Sequence, residues 1–419
     1  MKNINQILNE ILEEIKPDKE YEQEIFKRLN AIIKKINHKR KGFHAILGGS
    51  GAKGTWLKVF DADIFVLFDY NKYKDKSNEL SNILEKALKK KFRNITRIHG
   101  SRDYFQIKEG NFTFEIVPIL KIKSAAQAKN ITDVSPLHSG WVGKHRKLAN
   151  EMKLTKQFCQ ANNLYGAESY IRGLSGYVCE ILAAYYGSFL NLIRNAAKWR
   201  EREVIDIQKY YRGKDVFKII NTSKLVSPLI VIDPVQKDRN AAAALSIEKF
   251  EAFKSGAKEF LKTPSKEFFI KKPMSAEFLD ERPKNSRLIV AEAKPLEGKM
   301  DVVGSKLLKI YEFLRAEFEK NGFKPIKIGW EWGRKGNAFF YFLFDKKPLP
   351  RNVEIEGPPL KFKEHAENFK KIHKKTFEKS GKIFAINPRR FITPEALIKS
   401  LVNHKLIKER SKSMKIDIL

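Results

Sequence analysis

Residues 45–68 are the most informative stretch of this chain and read Ala-Ile-Leu-Gly-Gly-Ser-Gly-Ala-Lys-Gly-Thr-Trp-Leu-Lys-Val-Phe-Asp-Ala-Asp-Ile-Phe-Val-Leu-Phe. A first apolar strand is predicted to run into the turn at Gly48, Gly49 and Ser50, and a second carries Asp61 and Asp63. Alternate residues of a strand share a face, so these two carboxylates project together and repel each other unless a cation lies between them. Oxygen ligands suit Mg²⁺, and the Gly-Gly-Ser turn offers N–H groups and a hydroxyl to a phosphate.

Each half of this motif has an ordinary alternative when it stands alone. An Asp-x-Asp pair is often a solvated strand edge, and Gly-Gly-Ser is often only a turn. Their combination at this spacing, followed by the apolar run from Ile64 to Phe68, favours a phosphate-binding turn beside metal-binding carboxylates. The stretch therefore predicts nucleotidyl transfer.

Composition indicates a folded protein with a polyanionic partner. The chain has 419 residues, 42% of them hydrophobic, which is enough for about two to four domains with apolar cores. Lys and Arg number 82 against 49 Asp and Glu, so the formal net charge is +33. A solvated basic surface is the plain alternative, but a positive field of this size favours binding to nucleic acid.

Cysteine content and hydropathy exclude several classes of protein. Cys159 and Cys179 are too few for a disulfide framework or a zinc site, and both are predicted to be core thiols. No signal-peptide pattern opens the sequence, and no apolar run approaches the ~20 residues of a membrane span. We therefore expect a soluble, cytoplasmic protein.

The pattern along the chain predicts a multidomain α+β protein with four segments. Residues 1–140 form an α/β catalytic domain, residues 141–262 a helical central domain, residues 263–356 a βαββ module, and residues 357–419 a basic tail. In the tail, helices are expected over about 363–378 and 394–403. The first of these would carry Phe377 on its apolar face and Lys370, Lys371, Lys374 and Lys375 on the other.

A third acid is expected because two-metal phosphoryl transfer commonly uses three carboxylates. Glu115 is the lone acid in the apolar strand pattern from Phe112 to Pro118. Burying an unpaired carboxylate is costly, so an edge-strand acid that faces water is the alternative. The position downstream of Asp-x-Asp favours Glu115 as the third metal ligand.

Several spaced blocks resemble the archaeal class I CCA-adding tRNA nucleotidyltransferases of the polymerase-β superfamily. The resemblance covers most of the chain. Its blocks are Gly49 to Leu57, Ser135 to His138, Leu164 to Glu168, Arg172 to Cys179, Tyr186 to Phe189, Asp233-Pro234 with Arg239 to Ala242, Gly357 to Pro359, and Arg390 to Pro394. It implies a polymerase-β-like nucleotidyltransferase palm, a helical central (neck) domain over residues 141–262, and an α/β C-terminal domain with a helical tail. Residues 263–356 would then be the RNA-binding body.

The resemblance also implies an activity and its residues. Enzymes of this family add C, C and A to the tRNA 3′ end from CTP and ATP, without a nucleic-acid template and with Mg²⁺. Carried over by motif position, the metal ligands would be Asp61, Asp63 and Glu115. Ser50 and Lys53 would contact the triphosphate. The nucleotide site would be completed by His138, Lys156 and Tyr165. Arg239 would read the incoming base. The family usually has Asp where this chain has Glu115.

Taken one at a time, these residues have plain structural alternatives. Lys53 and Lys156 would be surface lysines, His138 a loop histidine, Tyr165 a core residue and Arg239 part of a local ion pair. For the whole chain, the alternatives are another template-independent RNA nucleotidyltransferase, such as a poly(A)-adding enzyme, and a non-catalytic tRNA-binding protein. The sequence does not determine the oligomeric state, and a homodimer stays open.

Overall fold

The computed structural model describes residues 4–38, 42–58, 62–275 and 282–419. The chain divides into two compact units, residues 1–271 and 272–419. No helix in these described ranges combines the length and apolar composition needed to cross a bilayer. The finer division at residues 140, 262 and 356 stays a prediction.

The first unit begins with two helices and a mixed sheet. Pro17 and Asp18 separate α1 (Ile4–Ile15) from α2 (Lys19–Asn37). The sheet contains β1 (Phe43–Leu47), β2 (Ala62–Asp69), β3 (Ile95–Ile98), β4 (Tyr104–Glu109) and β5 (Phe112–Lys121), in the order β1-β2-β5-β4-β3. Between the strands lie α3 (Gly49–Lys53), α4 (Tyr70–Tyr73) and α5 (Leu80–Lys89). Strands β2 and β5 are parallel neighbours, which requires the crossover that α4 and α5 supply.

One face of this sheet is covered by helices and the other carries acids. Ile64, Val66 and Phe68 of β2 are buried in a core shared with α2 and α5. The alternate residues of β2, which include Asp63, lie on the opposite face beside a smaller apolar cluster that contains Phe65 and Leu67. The period-2 pattern of the strand thus separates the core from the acidic face.

The remainder of the first unit is mainly helical, with a small three-stranded sheet. Its helices are α6 (Ser135–Gly143), α7 (Ala149–Ala161), α8 (Gly176–Tyr186), α9 (Phe189–Ala196), α10 (Val216–Ile219) and α11 (Ile247–Lys262). Its strands are β6 (Glu203–Ile205), β7 (Leu229–Asp233) and β8 (Gln236–Asn240), paired in that order in the described part of the chain. Cys159 and Cys179 are fully buried in the core of these helices, as predicted.

The second unit contains the predicted βαββ module. The strands β9 (Ser286–Pro295), β10 (Lys327–Trp332) and β11 (Ala338–Asp345) surround α12 (Met300–Lys320) in sequence. They form a sheet in the order β10-β11-β9-β15, in which β15 (Ser411–Ile418) is the last strand of the chain. The residues after β11 also include β12 (Asn352–Pro359), α13 (Lys363–Ile372), β13 (Thr376–Lys379), β14 (Lys382–Pro388), α14 (Pro394–Leu401) and α15 (Lys405–Lys408).

The predicted helix over 363–378 is wrong beyond Ile372. Residues Thr376–Lys379 instead pair with β14 as a hairpin. Its two-residue turn consists of Ser380 and Gly381, which have φ values of 53° and 72°. Positive φ at both positions matches the twist of a tight hairpin, so strand pairing replaces the last turns of the expected helix. Lys374, Lys375 and Phe377 are therefore not on the helix.

Candidate active site

The two acids that the sequence places in neighbouring strands lie side by side. Asp63 on β2 is the register partner of Glu115 on β5, and the two strands run parallel. Register partners on neighbouring strands point to the same face. Both side chains are partly exposed, whereas their neighbours in sequence are buried in the core on the opposite face: Ala62, Ile64, Phe114 and Ile116. We call Asp63 and Glu115 the carboxylate pair.

The third predicted acid is Asp61, which lies outside the described residues. Within the described ranges, no three His, Cys, Asp or Glu side chains are grouped so that they could hold a metal ion. The metal-binding role of the three acids stays a prediction.

Glu115 has a neighbour that the sequence did not reveal. Gln106 on β4 is its register partner on the other side, and the Gln106 Nε2 donates to Glu115 Oε1 at 2.8 Å. A neutral amide donor orients the carboxylate without cancelling its charge. Gln106 therefore positions Glu115 beside Asp63.

The turn after β1 is packed directly against Asp63. Gly49 has φ +53°, and a Cβ at this position would lie 1.7 Å from Asp63 Oδ2. The Gly48 N–H donates to the Asp63 carbonyl oxygen at 2.8 Å. Only glycine fits at position 49, because both the backbone conformation and the Asp63 carboxylate exclude a side chain. Partly exposed Ser50 follows in α3, and its carbonyl accepts the Thr55 N–H at 3.1 Å.

Lys53 and Lys156 are not surface lysines. Lys53 Nζ donates to Glu180 Oε2 at 2.8 Å, and Lys156 Nζ donates to Glu180 Oε1 at 2.6 Å. The Thr55 hydroxyl donates to the same Oε1 at 2.5 Å and accepts from Lys156 Nζ at 2.9 Å. We call these four residues the Glu180 cluster. They bring together the end of α3, the segment after it, α7 and α8.

Burial and charge act in opposite directions within the Glu180 cluster. The side chain of Glu180 is completely buried and that of Lys156 is 5% exposed. Desolvation alone would raise the pKa of Glu180, but the nearby Lys156 and Lys53 ammonium groups lower that pKa to about 2. Burial lowers the pKa of Lys156, and the Glu180 charge opposes that change. Each partner therefore keeps the other ionised.

A second buried carboxylate, that of Asp233, contacts His138, Tyr177 and Arg239. Arg239 donates to Asp233 Oδ2 at 2.5 Å, and His138 Nε2 lies 3.2 Å from the same oxygen. The Tyr177 hydroxyl donates to Asp233 Oδ1 at 3.2 Å, and its ring stacks on His138 with centroids 3.9 Å apart. Asp233 is fully buried at the end of β7. We call these four residues the Asp233 cluster.

This environment disfavours a charge on His138 despite its acidic neighbour. Desolvation lowers the pKa of His138, and the hydrogen bond with Asp233 only partly offsets that effect. Burial would raise the pKa of Asp233, but His138 and Arg239 hold it below its usual value. Arg239 thus forms a local ion pair, although its partner is Asp233 rather than the adjacent Asp238.

The two clusters and the carboxylate pair meet around α3. Gly49 begins this helix against Asp63, and Lys53 ends it against Glu180. At about 1.5 Å of rise per residue, these ends lie about 6 Å apart along the axis. Lys53 Nζ also lies 5.4 Å from the centre of the Tyr177 ring in the Asp233 cluster.

Tyr165 borders the Glu180 cluster. Its hydroxyl oxygen lies 2.6 Å from where a Cβ of Gly176 would stand, and Lys156 Cε lies 3.5 Å from the same point. The absence of a side chain at Gly176 therefore lets Tyr165 approach α8. Desolvation raises the pKa of Tyr165 further above neutral pH, where its hydroxyl is a hydrogen-bond donor.

Sequence reasoning missed Glu180 and Asp233 as partners of the predicted residues. A signal existed for Glu180, because it is the lone acid in the apolar helix Gly176–Tyr186, just as Glu115 is the lone acid in its strand. Asp233 likewise ends an apolar strand whose residues are all buried. A buried lone carboxylate requires hydrogen-bond donors, but the sequence around it does not identify which residues supply them.

Comparison with known proteins gives matches to three family models. Residues 150–270 match the second domain of tRNA nucleotidyltransferases, and residues 294–415 match the C-terminal domain of CCA-adding enzymes. Residues 1–136 match the second messenger oligonucleotide or dinucleotide synthetase domain. The matched regions include both units.

Curated relatives match over nearly the whole chain. The CCA-adding enzyme of Nanoarchaeum equitans is 33% identical over 90% of this chain and 92% of its own length. The CCA-adding enzyme of Methanocaldococcus jannaschii is 33% identical over 96% of this chain and 92% of its own length. That of Archaeoglobus fulgidus is 30% identical over 93% of this chain and 85% of its own length.

Solved structures of terminal nucleotidyltransferases share the fold. A cytoplasmic RNA terminal U-transferase is similar with a TM-score of 0.51 at 14% identity, covering 65% of this chain and 100% of that one. An RNA terminal uridylyl transferase gives a TM-score of 0.52 at 13% identity, covering 65% of this chain and 99% of that one. At this identity the similarity concerns the fold alone, and it agrees with the predicted nucleotidyltransferase palm.

Proposed function

Because this chain belongs to the CCA-adding enzymes, a family of tRNA nucleotidyltransferases, we propose that it adds C, C and A to the 3′ end of tRNA. It uses CTP and ATP without a nucleic-acid template and releases pyrophosphate. The observation that carries this proposal is the direct pairing of Asp63 with Glu115, beside a turn that only glycine can form.

Nucleotidyltransferases use divalent metal ions, and we propose that Mg²⁺ is the ion here. The donor set fits, because carboxylate oxygens on one partly exposed sheet face are the ligands that Mg²⁺ prefers. Asp63 and Glu115 would hold the metal together with Asp61, and Gln106 fixes the orientation of Glu115. When bound, metal ions at such a site lower the pKa of an attacking hydroxyl and neutralise charge on a leaving phosphate.

The remaining residues are proposed to bind and orient the substrates. Lys53 and Lys156 meet the negative charge of the triphosphate, with Ser50 donating from the adjoining turn, and Tyr165 and His138 border the nucleotide. Arg239 presents guanidinium donors to the edge of the incoming base, because Asp233 holds one end of the group. The tRNA 3′-hydroxyl then attacks the α-phosphate in line with the departing pyrophosphate.

The second unit and the high positive charge support tRNA as the partner. The net charge of +33 favours a polyanion, and residues 294–415 match a domain named for CCA-adding enzymes. We propose that residues 1–140 carry the chemistry, that the later segments hold the tRNA, and that the enzyme works in the cytoplasm. A homodimer is one alternative for its assembly, and light scattering of the purified protein distinguishes it from a monomer.

The test is to supply the protein with tRNA that lacks its terminal CCA. CTP and ATP are added singly and together, with and without Mg²⁺, and the product ends are sequenced. We expect two C residues with CTP alone and a complete CCA end with both nucleotides. A run of A residues would identify a poly(A)-adding enzyme instead. Binding of tRNA without any Mg²⁺-dependent incorporation would identify a non-catalytic binding protein.

A further inference from the structure

Glu180 is the common acceptor of three donors from separate parts of the first unit. Its side chain is completely buried on α8 and takes hydrogen bonds from Lys53, Lys156 and Thr55. The partners come from sequence positions 24 to 127 residues away. One carboxylate thus faces two ammonium groups and one hydroxyl, which leaves the cluster with one net positive charge.

Both ammonium groups are the ones that the proposed function assigns to the triphosphate, so the inference rests on that function. We propose that Glu180 is a positioning residue for nucleotide binding, which holds the Lys53 and Lys156 ammonium groups side by side where the triphosphate docks. Glu180 does not touch the reacting atoms. It acts through the two lysines.

Electrostatics explain why the lysines need Glu180. Two ammonium groups brought together in a buried place repel each other, and the attraction of both groups to a carboxylate between them offsets that repulsion. Water does not solvate the Lys156 ammonium group well, because the side chain is only 5% exposed. The excess positive charge that remains is complementary to a triphosphate.

Thr55 fixes the geometry of the cluster. Its hydroxyl donates to Glu180 Oε1, while its hydroxyl and carbonyl oxygens accept from Lys156 Nζ at 2.9 and 3.2 Å. Lys156 therefore approaches Glu180 from a single direction. Lys53 reaches the other carboxylate oxygen, Oε2, so the two ammonium groups do not compete for one acceptor.

The protonation of Lys156 depends on every charged or titratable group packed around it. From α8 these are Glu180 and Cys179, from α3 Lys53, from the segment after α7 Tyr165, and from α7 itself Lys153. Among these, burial and Lys53 lower the pKa of Lys156, and Glu180 raises it most. Removal of the Glu180 charge would therefore lower this pKa further and leave Lys156 neutral at high pH.

The test is Glu180→Gln, which keeps the shape and removes the charge. We expect KM for CTP and for ATP to rise roughly tenfold at neutral pH, the scale of a hydrogen bond to a charged group. The ratio of the variant's KM to that of wild type should increase as the pH rises, because Lys156 loses its proton at a lower pH in the variant. The value of kcat at saturating nucleotide and the affinity for tRNA should change much less.

Two further variants separate positioning from folding. Glu151→Gln alters another carboxylate of the same helical region, which accepts the Phe189 N–H at 2.8 Å, and should lower thermal stability without moving KM. Thr55→Val removes the hydroxyl that connects Glu180 to Lys156, and should raise KM with the same pH trend but a smaller amplitude. If Glu180→Gln does not fold, the pH dependence of KM in Thr55→Val tests the inference instead.

The outcomes distinguish this inference from the proposed function. If wild type completes CCA ends but the KM ratio of Glu180→Gln stays near one, or is independent of pH, Glu180 is only a structural residue and the inference is wrong. If wild type itself incorporates no nucleotide, the proposed function is wrong. Wild-type turnover together with a KM ratio that rises with pH supports both.

Discussion

Carboxylates have different environments in two regions of the first unit. One region is the acidic face of the first sheet, and the other is the helical region beside it. Asp63 and Glu115 are partly exposed, and Glu115 is oriented by the neutral amide of Gln106. Glu180 and Asp233 are completely buried, and each is paired with cations that sequence reasoning assigned to the nucleotide. This partly exposed pair is the one proposed to bind a metal ion. The buried acids instead set the positions of positive charges.

The largest expected effect concerns the exposed pair. Asp63→Ala should reduce nucleotide incorporation below detection while leaving tRNA affinity nearly unchanged, because its carboxylate is proposed to hold the metal ions. Incorporation into tRNA that lacks CCA and tRNA binding are measured on the same preparation. Asp69→Ala is a matched control at the exposed end of the same strand, where the side chain caps α4 by accepting the Lys72 N–H. Retained turnover in Asp63→Ala would remove the pair from the chemistry.

Acid titration tests the buried side of the comparison. The pKa of Glu180 is lowered from 4.5 to about 2, so its contribution to stability is complete above pH 4.5 and is lost as the pH falls towards 2. This contribution is on the order of 3 kcal/mol. Urea unfolding measured between about pH 6 and pH 3 should show a steeper loss of stability for wild type than for Glu180→Gln. If the free energy of unfolding falls equally steeply with pH in both proteins, the neighbours of Glu180 do not stabilise its ionised form.

A smaller effect is expected at the second buried acid. Asp233→Asn should raise the KM for nucleotide roughly tenfold, because Arg239 and His138 lose a charged acceptor. Because Arg239 is proposed to read the base, the same variant should also place the wrong base more often at the tRNA end. Sequencing of products made with CTP and ATP together measures this error. Unchanged product ends would show that Asp233 is not required for base selection.

The smallest effect concerns cations that are not held by buried acids. Lys370, Lys371, Lys374 and Lys375 are exposed near α13, and Lys370 contacts only the exposed Glu367 among its described ion pairs. Changing all four to Gln should reduce the slope of log affinity for tRNA against log salt by up to about 0.7–0.9 for each phosphate that the protein no longer neutralises. Incorporation at saturating tRNA should not change. An unaltered slope would place these lysines outside the tRNA interface.

Local pattern predicted the elements with strong apolar periodicity better than the others. The sequence predicted the strand that carries Asp63 and the βαββ order of the second unit, because apolar periodicity extends over many residues there. It missed β3, β6 and β8, which contain 4, 3 and 5 residues. It also missed β12, β14 and β15, which contain 8, 7 and 8 residues, and of these β14 and β15 lie wholly in the segment expected to be a basic, helical tail. Such strands form because a partner strand completes their hydrogen bonds, and this information is not local.

The candidate site shows the same division. Sequence pattern singled out Asp63 and Glu115 because each is an acid in an otherwise apolar strand, and the parallel register places them together. It gave no partner for Lys53 or Lys156, and treated a surface position as their alternative. The structure gives both the same partner, Glu180, from an element more than 120 residues after Lys53.

The amino-acid order thus determined which residues carry charge in apolar elements, since hydrophobic periodicity and the scarcity of buried acids are visible in one dimension. Only the tertiary structure decided which charges neutralise one another. Ion pairing depends on distances of a few ångströms between segments far apart in the chain, and packing of α3, α7 and α8 sets those distances.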